Sequence, residues 1–548
     1  MVSTPLVQTN GQQGTIVENK KANHGADGAI EHIVVVGGGT AGWLSANHLL
    51  KQLGKRNIRI TLIESPDIAT VGVGEGTVPM MRQTLQELGI RETEFIQRCD
   101  VTFKQGIKFI DWLDNPDDSL ANADKPYYHH IFDYPLIHEF SDLTEHYLSG
   151  HAPKQTSFVD AVAFQGKVCD QHRAPKDITT PEYQGQLHYA YHLDAGKFSE
   201  LLKEHAIKQG VHHVKANVTD VKLAKSGDIE ALETDCAGVI SAQFFVDCSG
   251  FRSLLLGQAL GVDFIDKSDV LFVDKAVVAQ IAYPEGHQDI PSYTLSTAQK
   301  HGWIWDIGLQ SRRGVGHVYS SRYCSEQEAK ATLIDYINAG VHDAQTEIKL
   351  RTIDMKIGYR EKFWSRNCAA IGLSQGFVEP LEATGLLVFD ATAKLLASQF
   401  PANRSHMDIV AKQFNSRVNE SWLRVIDFIK LHYCLSRRDD SEFWRANRDP
   451  SSCPQSLQDR LVLWRHQAPS AYDFASRFEI FNLENYLYVL YGMEFDSQVP
   501  NNSDLEQNKA QAQAFFARVA EHGNTLTTQM PDHAELLNKI NKFGLQTR

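Results

Sequence analysis

The run His32-Ile33-Val34-Val35-Val36 is mostly β-branched, the pattern of a strand buried on both faces of a parallel sheet. Residues 41–53 then read as a helix, and 58–63 as a second strand closing on Glu64. Further on, Val101, Phe103, Ile107 and Phe109 alternate with Lys104 and Lys108, which predicts one half-buried strand with both lysines on its other face. Phe244-Phe245-Val246 predicts a strand that ends at Asp247. In Trp303-Ile304-Trp305-Asp306-Ile307 two indoles at i and i+2 share one side of a strand and make a rigid, water-excluding wall. Residues 385–400 read as an apolar helix, and 504–522 and 531–543 as amphipathic helices, the last with Pro531 at its start.

Gly37-Gly38-Gly39-Thr40-Ala41-Gly42 joins the first strand to the first helix and satisfies G-x-G-x-x-G, with the acid Glu64 at the end of the next strand. Each part has a physical task. Gly37 permits the tight turn, Gly39 lets backbone approach a pyrophosphate, and Gly42 lets helix pack on strand. The helix N-terminus around Thr40 and Ala41 offers N–H groups to phosphate, and Glu64 accepts from ribose hydroxyls. No second unit of this kind follows a later strand, which points to a flavin reduced elsewhere rather than by a resident nicotinamide site.

The 548-residue chain is long enough for two or three domains, and its net charge of −13 argues against a general nucleic-acid or anionic-membrane binder. Its eight cysteines form no Cys-x-x-Cys pair, so no zinc or thioredoxin-type motif is indicated, and they read as free thiols of a cytoplasmic protein. Residues 1–29 are polar and read as a disordered tail, and no stretch is apolar enough to span a bilayer.

Six segments together resemble the flavin-dependent tryptophan and indole halogenases, in a match that runs roughly from Ile33 to Trp444, most of the chain. They are residues 37–43, Gly72-Val73-Gly74-Glu75-Gly76-Thr77-Val78-Pro79, Phe103-Lys104 with Ile107-Lys108-Phe109, Val246-Asp247-Cys248-Ser249-Gly250, Gly302-Trp303-Ile304-Trp305-Asp306-Ile307, and Glu379-Pro380-Leu381-Glu382-Ala383-Thr384-Gly385. The resemblance implies an α/β fold: a Rossmann-type FAD-binding module of the flavin monooxygenase kind with a mainly helical substrate cap. It also implies FAD, used as FADH2 supplied by a separate NAD(P)H flavin reductase, and a halide, chloride or bromide. In that family hypohalous acid passes through an interior tunnel to a lysine beside the arene.

By position that lysine is Lys104, and the glutamate that stabilises the ring cation and takes its proton is Glu382. Thr384 and Gly385, at a helix start, would hold the halide. Trp303 and Trp305 would wall the tunnel and keep substrate from the flavin. Val73, Gly74 and Glu75 would belong to a mobile strap over the cofactor, with Asp247 and Gly372 on the cofactor side. His130 and Phe132 match the family's ring-stacking residues, and Phe481 and Asn485 belong to a substrate segment that matches less well.

The chain departs from the family pattern with Gly76 for Ala, Gly308 for Pro and Ala383 for Ser. Phe481 stands where the tryptophan enzymes have Trp, and the segment around Tyr472 lacks their tyrosine pair and glutamate, the grip on the amino-acid end. The expected substrate is therefore a small aromatic of indole type without that backbone, or a larger molecule carrying one. The expected domains are an FAD module over 30–400, interrupted around 113–185 by a cap insertion, and a helical cap over 401–548. A homodimer is compatible with the family. Two other functions compete: an aromatic monooxygenase, and a flavin-binding protein without turnover.

Overall fold

The computed structural model describes residues 28–68, 74–116, 127–136, 143–343, 345–474, 476, 479–499 and 503–547. The expected tail therefore falls almost wholly outside the described residues, as does Val73. Ala29 bridges to Asn403, and Ile30 N donates to Ala402 O at 3.3 Å, so the first described residues are pinned to the segment around 402–403.

A six-stranded sheet has His32–Val36 at its centre, paired in parallel with Phe244–Asp247 on one side and Arg59–Glu64 on the other. Ile33, Val34 and Val35 are fully buried, as a strand covered on both faces requires. Helix Thr40–Leu53 follows the glycine loop and packs its Trp43, Leu44 and Leu49 into the core. The fold is mixed α/β with this parallel Rossmann-type sheet as its base.

A second sheet has seven strands, in the order Arg351–Asp354, Lys275–Ala282, Arg312–Tyr319, Gly302–Gly308, Thr294–Gln299, Gly106–Ile110, Tyr127–Ile131. All its pairings are antiparallel except Thr294–Gln299 with Gly106–Ile110. The segment expected as a helical insertion around 113–185 thus contributes an edge strand to this sheet as well as short helices.

The structure corrects the reading of 101–109 as one strand. Thr102–Lys104 lies in a small three-stranded sheet with Gly74–Gly76 and Ala190–Asp194, whereas Gly106–Ile110 lies in the seven-stranded one. The chain changes sheets at Gln105, whose N–H donates to Ser292 O at 2.7 Å. At Gly106 a Cβ would sit 2.5 Å from His130 O, so only glycine allows the two strands to approach. The two lysines therefore part company. Lys104 points into a cavity, and Lys108 pairs with Asp170 at 2.8 Å and lies over the Tyr127 ring.

Beyond 400 the chain is helical. Met407–Leu435 is the longest helix and packs against both Thr384–Ser398 and the sheet edge at Trp364–Ser365. The expected helix 504–522 is two, Ser503–Gln507 and Lys509–Gln529, with Asn508 as the second one's N-cap. The last helix, His533–Phe543, is capped by Asp532, so Pro531 stands just outside it. No helix among the described residues is long and apolar enough to cross a membrane.

Candidate active site

A cavity of about 620 Å³ runs beside both large sheets. One end is lined by residues 37–41 and Glu64, the other by Lys104, Glu382, Ala383 and Gly385, and Trp303, Trp305 and Ile307 stand along its wall.

The dinucleotide end is built by close approach. Gly37 has φ +123°, and a Cβ there would stand 2.1 Å from Cys248 O. A Cβ on Gly42 would meet Gly37 O at 1.9 Å, whereas one on Gly39 would meet nothing within 4 Å. Gly37 and Gly42 therefore close the loop on itself, and Gly39 leaves backbone open to the cavity. Glu64 Oε2 lies 2.7 Å from His213 Nε2. These residues fit a flavin dinucleotide: open backbone beside a helix N-terminus, and a cavity-lining carboxylate at the end of the next strand.

Two of the expected cofactor residues act from behind the wall. Asp247 is fully buried and accepts from the N–H groups of Ser249, Leu255 and Leu256 and from the Ser374 hydroxyl, so it holds the loop after its strand in shape. Gly372, at φ +79°, has room for no Cβ against Ala41, and its neighbour Leu373 lines the cavity. Gly74 and Glu75 line the cavity themselves. Burial, reinforced by Asp194, pushes the Glu75 carboxyl up to about 7.

At the other end Lys104 is 1% exposed, and its Nζ donates to Thr77 O at 3.1 Å. Thr77 is itself locked to Tyr191 through both its N–H and its hydroxyl, so the carbonyl that receives the ammonium is fixed. Burial pulls Lys104 down to about 8, against the opposing pull of Glu382. The Phe132 ring centroid lies 5.4 Å from its Nζ.

Glu382 is 3% exposed and gripped by two histidines. His130 donates from Nδ1 to Oε2 at 2.7 Å, and His432 from Nε2 to Oε1 at 2.9 Å. Burial alone would raise this carboxyl, but the two imidazoles overcome it and hold it near 2, ionised at every working pH. Glu382 and Ala383 have φ +65° and +55°, two successive left-handed residues ahead of helix Thr384–Ser398. Non-glycine residues there cost about 1 kcal/mol or more each, and here they turn the carboxylate toward the lysine's cavity while the helix N-terminus faces it through Gly385. Thr384 is buried just behind Gly385.

The remaining residues expected at the ring-binding positions lie beyond the glutamate. His130 Nε2 meets Asn485 Oδ1 at 3.0 Å, and Phe481 is 3% exposed and stacked on Phe428 at 4.1 Å. Tyr472, the one tyrosine of the segment 471–476, is 94% exposed.

Two site residues, His432 and His533, have no local signal in the sequence, and a third, Glu379, stands in the same motif as Glu382. His432 stands 50 residues beyond Glu382 in the chain, and only its place on the buried side of helix Met407–Leu435 marks it. His533, in the last helix, accepts from Phe103 N–H at 3.0 Å and bonds Ile290 O through Nδ1, so the C-terminus buttresses the Lys104 strand. Burial drives it down to about 4, which keeps it the neutral acceptor this needs. Glu379 is fully buried and accepts from Trp303 Nε1 and the Tyr433 hydroxyl, both at 2.7 Å.

The departures from the family pattern also find places. A Cβ on Gly76 would sit 3.3 Å from Lys104 Nζ and 3.6 Å from Ala383 Cβ, so two of the three meet at the lysine. At Gly308 a Cβ would press at 3.0 Å on both Ile290 and Tyr283.

The profile of the tryptophan halogenase family matches residues 32–507. A tryptophan halogenase structure from Shewanella frigidimarina NCIMB 400 superposes with a TM-score of 0.89 and 42% identity, covering 95% of this chain and 99% of that one. A tryptophan 6-halogenase from Streptomyces toxytricini is 33% identical over 524 residues, 92% of this chain and 97% of the relative. A flavin-dependent halogenase from Brevundimonas sp. BAL3 superposes with a TM-score of 0.83 at 30% identity, over 93% and 99% of the two chains.

Proposed function

This chain belongs to the tryptophan halogenase family, and on that premise we propose roles for its residues as a flavin-dependent halogenase of indole-type carbon. The observation that carries the reading is one continuous cavity with a dinucleotide loop at one end and Lys104 facing Glu382's neighbourhood at the other.

Residues 37–41 and Glu64 hold the flavin dinucleotide, and Gly74 and Glu75 lie over it. Reduced FAD, when bound, supplies the electrons by which oxygen and halide become hypohalous acid. Gly385, with Thr384 behind it, presents helix N–H groups to the halide. Trp303 and Trp305 line the route and exclude both water and arene from the flavin end. Lys104, fixed by Thr77, donates an N–H to the oxygen of hypohalous acid and so makes the halogen electrophilic. An amine drawn down to about 8 is also partly free at neutral pH and can take the halogen itself. Glu382 stabilises the ring cation and accepts the proton that leaves the ring carbon, its geometry fixed by His130 and His432.

The finer substrate reading is an indole without a free amino-acid end. The exposure of Tyr472 supports it, as does Glu479, whose carboxylate is engaged by Arg460 at 2.7 Å. A separate flavin reductase serves the enzyme. The test incubates protein, FAD, NADH and a flavin reductase with indole, tryptophan and phenols in bromide or chloride, and reads product masses. A halogen isotope pattern on indole, with a lower KM than for tryptophan, is the expected result. A gain of one oxygen independent of halide would make the protein a monooxygenase.

A further inference from the structure

Behind the tunnel wall the aromatic side chains continue as an unbroken file. Trp305 and Trp303, both on the cavity, have ring centroids 6.3 Å apart, and Trp303 is 6.3 Å from Trp112. Trp112 lies 5.3 Å from Tyr433 and 5.7 Å from Trp444, which are 5.7 Å from each other. Phe443, 6.0 Å from Tyr433, separates it from Tyr323, 5.9 Å further on and half-buried at the surface.

Indole and phenol are the side chains that give up an electron most readily, and electron transfer across a few ångströms between ring edges is fast. Losing an electron makes the indole N–H and the phenol O–H strongly acidic, so a vacancy settles where a carboxylate can take the proton. Glu379 fills that position: Trp303 Nε1 and Tyr433 Oη both donate to its Oε2, and its Oε1, fully buried, has no hydrogen-bond partner. Packing alone does not account for this. Phenylalanine would fill a core as well with no N–H or O–H to satisfy, and a buried carboxylate costs several kcal/mol that an apolar residue would not. Arg438, whose guanidinium lies 4.7 Å over the Trp444 ring, disfavours a positive vacancy there and leaves Tyr433 as the resting place.

We propose that Trp305, Trp303, Trp112 and Tyr433 form an electron relay that drains one-electron oxidants from the cavity toward Tyr323, with Glu379 as proton acceptor. The oxidant is a halogen atom or hydroxyl radical from homolysis of the O–X bond of hypohalous acid. A halogen atom takes one electron from Trp305 and leaves as halide. Trp303 refills Trp305, Trp112 refills Trp303, and Tyr433 refills Trp112 while its O–H proton passes to Glu379. A thiol or reduced nicotinamide in solution returns one electron through Tyr323, and the proton returns from Glu379 to Tyr433. Burial pushes the Glu379 carboxyl up to about 7, against the donation from Tyr433 and Trp303, so it gains and loses a proton near neutrality.

The proposal needs the flavin in the cavity but not halogenation, so its test is separate from that of the activity. Protein loaded with oxidised FAD is excited by a blue flash, which makes the flavin a one-electron oxidant, and indole and phenoxyl radicals are followed by transient absorption. The wild type is expected to give a persistent tyrosyl signal. Trp112→Phe should retain prompt quenching but lose the persistent component. Tyr433→Phe, which removes one oxygen, should replace the tyrosyl spectrum by that of an indole radical, and both variants should bind FAD as the wild type does. A wild type without persistent radicals, or a persistent tyrosyl signal unchanged in Tyr433→Phe, would overturn the relay.

Discussion

Replacing Lys104 by Met should make the protein more stable at neutral pH while abolishing product. The ammonium is 1% exposed and is pulled from 10.5 to about 8 on folding, a penalty of about 3 kcal/mol for keeping it charged inside. Met has similar length and volume and carries no charge, so it removes that penalty. It also removes the bond to Thr77 O at 3.1 Å, at a cost of about 1 kcal/mol. The net gain is about 2 kcal/mol at pH 7. Its dependence on pH has a definite sign. Below pH 8 both folded and unfolded wild type hold the proton and the full penalty stands. Between 8 and 10.5 the folded state binds fewer protons than the unfolded one, so wild-type stability rises with pH. The variant lacks this contribution, so its advantage should shrink through that window and reverse by about 1 kcal/mol above it, where only the lost hydrogen bond remains. Urea unfolding of both proteins at pH 7 and pH 10.5 measures the difference. A variant less stable than wild type at pH 7, or an advantage that does not change with pH, would refute a buried ammonium held at a cost.

The Glu382→Gln enzyme keeps a side chain that its histidines can hold but loses the proton acceptor, and kcat should fall about 10²–10⁴-fold with FAD affinity unchanged, as steady-state rates and flavin titration will show. In His432→Phe one of the two groups holding the Glu382 carboxyl down is gone, so its pKa rises. Activity should then decline more steeply than that of the wild type as pH falls from 7 to 5, and paired pH–rate profiles check this. Gly37→Ala would force a Cβ onto Cys248 O at φ +123°, and the purified protein should contain no flavin by its visible spectrum.

Local pattern was enough for the parts of the fold that are local. His32–Val36 and its glycine loop were legible because a buried parallel strand must be apolar at every position and a phosphate turn must be glycine. The segment 101–109 misled because alternation continues smoothly across Gln105, while the change of sheet is imposed by Ser292 and His130 from distant parts of the chain. Lys104 and Glu382 could be named through the family motifs. Their holders could not, since Thr77, His432 and His533 meet them only after the small three-stranded sheet has formed and helices Met407–Leu435 and His533–Phe543 have packed. A buried histidine on a long helix has the same sequence pattern whether it grips a carboxylate or merely fills space.

Gly76 and Ala383 lie on opposite chain segments yet share one small volume beside the Lys104 amine. A methyl group restored at 76 arrives 3.3 Å from that amine and 3.6 Å from the methyl at 383, so it feels whatever stands opposite. Effects of substituting the two should therefore not add. The two positions thus act as one spacer divided between two chain segments, so the room left around the amine is set by their sum and neither can be resized alone without changing what the other does.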